Sequence, residues 1–247
     1  MRIQVDAEPT ERYIAESGRS SLDVLYFVVA AAARTVAEDV PAMNGYLRRG
    51  RVVSREGVTV SVTAPVPGQT GLLAFPLHDA HRLSASNLAR SLRRRMVDTR
   101  NRLRDKGKLA EYVLADAPWP LGRLTFRAFR GLAHIGLPMG RFDLAPESYG
   151  SLVVTSMEPL SRDYDLDTGA FDVAFVPAFP AARNASVVSV IPPRDVPAAV
   201  GGEVVVRRRV TLGFTFDHRV VDGLEVGQFI SGLTRRLLDP AALDRDA

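Results

Sequence analysis

Apolar positions in this chain fall into a few blocks separated by polar, arginine-rich stretches, and the spacing inside each block predicts its element. From Leu22 to Val36 the residues are apolar almost without interruption. Ser20-Ser21-Leu22-Asp23 in front of them reads as a helix start, with Ser20 as cap and Asp23 three residues on, and Val40-Pro41 ends the run. A helix so apolar on all sides belongs deep in a core. Val58 to Ala64 alternates branched and smaller polar residues, as a strand does, and Leu72 to Leu77 reads as its hairpin partner across the turn 65–71. Ala85, Leu88, Leu92, Met96 and Leu103 fall on or near one helical face, which predicts a helix to about Lys106 with its arginines in water.

Residues 115–146, rich in proline and glycine, predict two short helical pieces and no separate domain. Gly150 to Met157 and Ser186 to Ile191 are strand candidates. Gly201-Gly202 is a turn, and Glu203 to Phe216 carries the longest strand pattern. A loop over 217–222 then leads into a helix from Gly223 to Leu238, with Leu224, Phe229, Ile230, Leu233 and Leu237 turned inward and Pro240 as its stop. Strands and helices mix along the whole length without internal repeats. That argues for one α/β sandwich-like domain spanning residues 1–247.

Composition narrows the function classes. The chain has 247 residues, enough for a sizeable core, and no cysteine. Disulfides, thiolate metal sites and a cysteine nucleophile are therefore excluded. The net charge of +4 is mild, and Lys106 and Lys108 are the only lysines. The start of the chain lacks the apolar stretch of a signal peptide, and the run from Val24 to Ala33 is too short to span a bilayer; both fit a cytoplasmic protein. Arg93-Arg94-Arg95 reads as a solvated helix face. Arg207-Arg208-Arg209 alternates across a strand, where one arginine could meet an acidic neighbour or a cofactor phosphate. No aromatic platform accompanies these basic runs, which argues against nucleic acid. His78 and His81 flank Asp79 without a third ligand, so no metal site is expected. His134 reads as structural.

Chemistry concentrates at His218. It stands between the long strand and a helix start, a rigid mount for an imidazole that can exchange protons near neutral pH. Asp222, four residues on, can orient the loop or balance an arginine. Gly223 permits a tight turn or the close approach of another group.

The string Thr215-Phe216-Asp217-His218-Arg219-Val220-Val221-Asp222-Gly223 contains His-x-x-x-Asp-Gly. It resembles the active-site motif of chloramphenicol acetyltransferase and, nearly residue for residue, that of the dihydrolipoamide acyltransferase catalytic domain of 2-oxoacid dehydrogenase complexes. Val58 to Val62 with Gly71-Leu72-Leu73 is similar to that family's hairpin region. Val40 to Asn44 resembles its Pro-x-x-Asn, and Leu237 to Pro240 resembles its C-terminal end. The resemblance implies a chloramphenicol acetyltransferase-like two-layer sandwich, a mixed sheet packed by helices. It implies direct acyl transfer from a coenzyme A thioester, His218 as general base and Asp222 in a structural role. A hydroxyl on an upstream strand would stabilise the tetrahedral oxyanion. The strand Ser151 to Met157 is similar to that one, with Thr155 and Ser156 as candidates and Thr155 ahead. The family also implies a homotrimer whose sites lie between subunits.

Some features depart from the family. The chain offers no place for a lipoyl domain, and Asp105-Lys106 ends an arginine-rich helix, unlike a lipoylation hairpin. Residues 115–146 are longer than the matching family segment. Glu158-Pro159-Leu160 stands in place of a glycine-containing turn, and acidic residues follow from Asp163 to Asp172. The leading expectation is accordingly a free-standing acyltransferase that delivers an acyl group to a small-molecule hydroxyl or thiol. The alternatives are transfer between coenzyme A and a lipoyl group on a partner protein, and an inactive oligomeric scaffold.

Overall fold

A computed structural model describes residues 1–48, 50–65, 72–106, 149–158 and 184–246. Eight strands and five α-helices are seen among them. In chain order these are β1 (Arg2–Asp6), α1 (Glu8–Ser17), α2 (Val24–Glu38), β2 (Gly45–Arg48), β3 (Arg51–Ser54), β4 (Val60–Pro65), β5 (Leu72–Leu77), α3 (Ala85–Lys106), β6 (Leu152–Ser156), β7 (Ser186–Val200), β8 (Glu203–Phe216), α4 (Gly223–Leu237) and α5 (Pro240–Leu243).

Six strands form one mixed sheet in the order β1-β8-β7-β6-β4-β5, while β2 and β3 pair separately. Only β6 has parallel neighbours on both sides, β4 and β7; the other pairings are antiparallel. One face of the sheet carries Val60, Val62, Phe75, Leu77, Leu152, Val154, Val188, Val190, Val210, Leu212 and Phe214, all in a single buried cluster with the helices. Period-2 alternation puts these residues on one side. The helix α2 lies centrally in the helical layer, packed against α3 and α4 as well as β6 and β7. Its residues from Phe27 to Ala33 are fully buried. This is the deep helix its composition predicts.

The boundaries carry several corrections. The cap of α2 is Asp23, whose carboxylate accepts the Leu25 amide at 2.8 Å; Ser20 lies in the preceding turn. Leu22 is buried, which fixes the entry so that the short side chain just before the apolar run does the capping. In α4 the inward residues include Phe229, Leu233 and Leu237, but Leu224 is 71% exposed. Five residues at about 100° each put it roughly 140° round the helix from Phe229. Strand β7 runs on to Val200 through Pro192 and Pro193, because a register irregularity between Ile191 and Arg194 absorbs the missing donors. The expected pieces in 115–146, the acidic stretch 163–172 and His134 lie outside the described residues.

The end of the chain is bound to the helices by charge. Arg34, buried in α2, donates to the carbonyls of Ala242 and Arg245. Asp244 accepts the Ser86 amide and pairs with Arg19. Asp246 accepts the Ser84 amide and the Asn87 side chain. On α4, Gly232 passes so close to Asp39 and Thr35 that a Cβ there would overlap both. Arg236 reaches back from α4 to pair with Glu38 and Asp39.

Candidate active site

Strand β8 ends at Phe216, whose ring stacks on Phe214 and meets Phe229 edge-on. This aromatic group fixes the exit of the strand. The amide of Asp217 donates to the Ala185 carbonyl at 2.9 Å, and the Asp217 carbonyl accepts from Val220 at 2.8 Å, closing a tight turn. Val221 is buried and pins the far side of the loop in the core. His218 is therefore held at the apex of a short, doubly anchored loop. Its side chain is exposed and makes no hydrogen bond among the described residues.

Charge around His218 is arranged by its neighbours. Arg219 forks onto Asp217 with contacts of 2.9 and 2.7 Å. That hydrogen bonding holds the Asp217 carboxyl below the usual carboxylate range. Among the described residues Asp222 meets no arginine. It caps α4, accepting the amides of Leu224 at 2.9 Å and Glu225 at 3.1 Å, while Glu225 closes the box on the Asp222 amide at 2.7 Å. Asp222 thus fixes where the loop becomes helix. Gly223 has an ordinary helical backbone, and a Cβ there would meet nothing. It serves no tight turn; it leaves open space beside the loop. A shallow hollow of about 540 Å³ extends from it along α4, lined in part by Gly227, Gln228, Ser231 and Arg235, and does not include His218.

The two hydroxyl candidates on β6 face opposite ways. Leu152 and Val154 belong to the core, so Ser156 shares their side, and its Oγ accepts the Glu158 amide at 3.2 Å. Thr155 points to the opposite face, where it is nearly buried and receives a hydrogen bond from Thr63 Oγ1 at 2.7 Å. That face carries a row of small residues level with one another, Thr63 on β4, Thr155 on β6, Ser189 on β7 and Gly213 on β8. Sequence reasoning missed Thr63. Its only signal was alternation within β4, which gives a face but no partner.

The register also separates the histidine from the hydroxyl. Thr155 is level with Gly213, whereas Phe216 is level with Leu152. At about 3.3 Å per residue, Phe216 stands roughly 10 Å farther along the sheet than Thr155, and it is two strands, about another 10 Å, to the side. His218 lies beyond Phe216. One chain does not bring His218 within hydrogen-bond reach of Thr155 or Ser156.

Arg208 pairs with Glu11 and Arg207 with Glu8, so this basic run meets acidic residues of α1. Arg194 and Arg209 are register partners across β7 and β8. The ring of His78 bonds Thr59 at 3.1 Å. No cluster of three or more metal-ligating side chains occurs among the described residues, and no helix among them is long and apolar enough to cross a membrane.

Residues 167–244, which include the His218 loop, match the family model of the 2-oxoacid dehydrogenases acyltransferase catalytic domain. The lipoamide acyltransferase component of a branched-chain alpha-keto acid dehydrogenase complex from Pseudomonas aeruginosa is 47% identical over 47 residues, which are 19% of this chain and 11% of that relative. Likeness to solved structures spans almost the whole chain. A probable dihydrolipoamide acetyltransferase from Listeria monocytogenes aligns with TM-score 0.64 at 18% identity, over 96% of this chain and 82% of that one. The Azotobacter vinelandii dihydrolipoamide acetyltransferase (E2p) gives 0.64 and 18%, over 98% and 82%. A chloramphenicol acetyltransferase gives 0.52 and 12%, over 96% and 86%. At these identities the structural likeness is one of fold, and it is the two-layer fold that the motif implies.

Proposed function

We propose that this chain, an acyltransferase of the 2-oxoacid dehydrogenase type by its last third and its fold, moves an acyl group between a lipoyl thiol on a partner protein and coenzyme A. His218 takes the proton from the attacking thiol. The thiolate adds to the thioester carbonyl, and the hydroxyl of Thr155 donates to the tetrahedral oxyanion. Collapse expels the second thiol, which takes the proton back from the imidazolium, so no acyl-enzyme forms. Asp222 and Gly223 serve the loop, the first as cap of α4 and the second by leaving room beside it.

One geometric observation with two parts carries this reading: His218 is exposed and makes no hydrogen bond among the described residues, and Thr155 lies too far away in the same chain to share its substrate. A site joined between copies answers both facts, and a homotrimer supplies it. The A. vinelandii structure was determined to study a serine, a histidine and an asparagine in that enzyme's mechanism, and a related structure is the cubic core of a pyruvate dehydrogenase complex. The lipoyl acceptor takes precedence over the small-molecule acceptor because the curated relatives are lipoamide acyltransferases. The lipoyl group would come from a partner. A small-molecule acceptor keeps one argument of its own, the exposed Glu158 at the end of β6 where the family pattern has glycine. The reaction needs no membrane or nucleic acid, and the cysteine-free chain suits the cytoplasm.

Complementation tests the shared site. His218→Ala and Thr155→Val are each expected to lower turnover, the first by roughly two to four orders of magnitude and the second by roughly a hundredfold or more. When the two variants are co-expressed, some mixed oligomers pair an intact His218 with an intact Thr155 from another copy, and part of the activity returns. Assays with dihydrolipoamide and with small alcohols or thiols identify the acceptor. Mixed oligomers as inactive as both parents would overturn the shared site. A His218→Ala protein at wild-type turnover would remove the base.

A further inference from the structure

We infer that Thr63 is a positioning residue for the oxyanion donor, an assignment that rests on the role proposed for Thr155. The two threonines are register partners on adjacent parallel strands, and Thr63 Oγ1 donates to Thr155 Oγ1 at 2.7 Å. A hydroxyl has one proton to give and can accept two. Because Thr155 accepts from Thr63, its own proton is directed elsewhere, out over the face of the sheet.

Among the described residues, few other ways to hold it are seen. On the β7 side, Thr155 is level with Ser189, but Ser189 is turned away and donates to the Gly213 carbonyl on β8 at 3.3 Å. On the far side of Thr63, the β5 register partner is Ala74, which offers no polar group. The backbone groups of β6 are engaged by β4 and β7 in its two parallel ladders. Thr63 therefore sets the orientation of the Thr155 hydroxyl. Both residues are β-branched and stiff at χ1, so the pair holds this direction before substrate arrives. A donated hydrogen bond also polarises the O–H it meets, which makes Thr155 a better donor to developing negative charge.

A double-mutant cycle on the intact protein tests this, with kcat and KM measured for Thr63→Val, Thr63→Ser, Thr155→Val and the Thr63→Val/Thr155→Val pair. Thr63→Val is expected to lower kcat roughly five- to tenfold with KM unchanged, the worth of one oriented hydrogen bond felt only in the transition state. Thr63→Ser should restore most of the loss, and Thr63→Val should cost nothing further once Thr155 is valine. Thermal melting of each variant separates these effects from misfolding. Wild-type or higher kcat in Thr63→Val would overturn the assignment, since the proton of Thr155 would then be spent on Thr63. An equal loss in the Thr155→Val background would also overturn it, because Thr63 would then act independently. If Thr155→Val itself keeps full kcat, the donor role of Thr155 fails and this assignment falls with it. A slow Thr155→Val beside a normal Thr63→Val removes the positioning role alone.

Discussion

On the helical side of the sheet, most positions from β1 to β5 are aliphatic or aromatic and join α2 and α4 in one buried cluster. On the opposite side the same strands present Ser61, Thr155, Ser189 and Thr211, all small, hydroxylated and buried, with the half-buried Thr63 among them. The first face stabilises the fold. The second gives up apolar burial for groups that can be aimed. Hydroxyls on a strand interior, held by neighbours 4.8 Å or so away, are positioned far better than hydroxyls on loops. The side chain expected to exchange protons shows the reverse arrangement. His218 sits on a loop, but a loop tied at Ala185, Asp217, Val221 and Asp222.

This contrast can be broken at several points. On the apolar face, Phe229 is fully buried and edge-on to both Phe214 and Phe216. Phe229→Ala should cost about 3–5 kcal/mol in chemical denaturation and loosen the root of the His218 loop. A loss under about 1 kcal/mol would mean that the aromatic group does not hold the strand exit. Next comes Gly150, just before β6. It has φ of +69°, and a Cβ there would run into the Thr59 carbonyl. Gly150→Ala should cost at least about 1–3 kcal/mol. Calorimetry showing no change would sink that claim.

A smaller effect is expected at Asp39, whose carboxyl is held low by its hydrogen bond to Arg236. Because the folded value is depressed, the stability it contributes is present above the unfolded value, near pH 3.9, and is lost as pH falls through the folded value. The difference in melting temperature between wild type and Asp39→Asn should therefore shrink below about pH 4. A difference that stays constant down to acid pH would contradict it. The smallest change sharpens the comparison most. Ser156→Ala, one residue from Thr155 but on the other face, should alter stability by no more than about 0.5 kcal/mol and leave kcat unchanged. A large kcat loss there would move the donor role to the apolar side.

Much of this was legible in the sequence, for physical reasons that differ by element. α2 and α3 are long and strongly patterned, and β8 starts directly after the Gly201-Gly202 turn, so local pattern was enough. β1 was not legible. It is five residues long, and its strand character comes from pairing with β8 over 200 residues away. The extension of β7 was hidden because two prolines normally stop a strand and the bulge that accommodates them is tertiary. At the site, His218, Asp222 and Gly223 stood out by motif. The capping box was also present as Asp222 and Glu225, three apart, although the aspartate read equally well as an ion-pair partner. Thr63 was out of reach, since nothing local shows that a strand at 60–65 lies beside one at 152–156.

That remoteness has a consequence for how the molecule comes to exist. β7 and β8 are joined by a two-residue turn at Gly201-Gly202 and can pair as soon as both are synthesised. β6 must be inserted between that hairpin and β4, which closes a loop of about ninety residues, and β1 finds its place only when Val210 to Gly213 have emerged. Long-range closures of this kind carry their entropy cost before their contacts form. The strand bearing Thr155 is thus among the last pieces to lock, and a chain still on the ribosome exposes the edges of β4 and β1 without their partners. Until the sheet is complete, those open edges are where strand-edge aggregation can start.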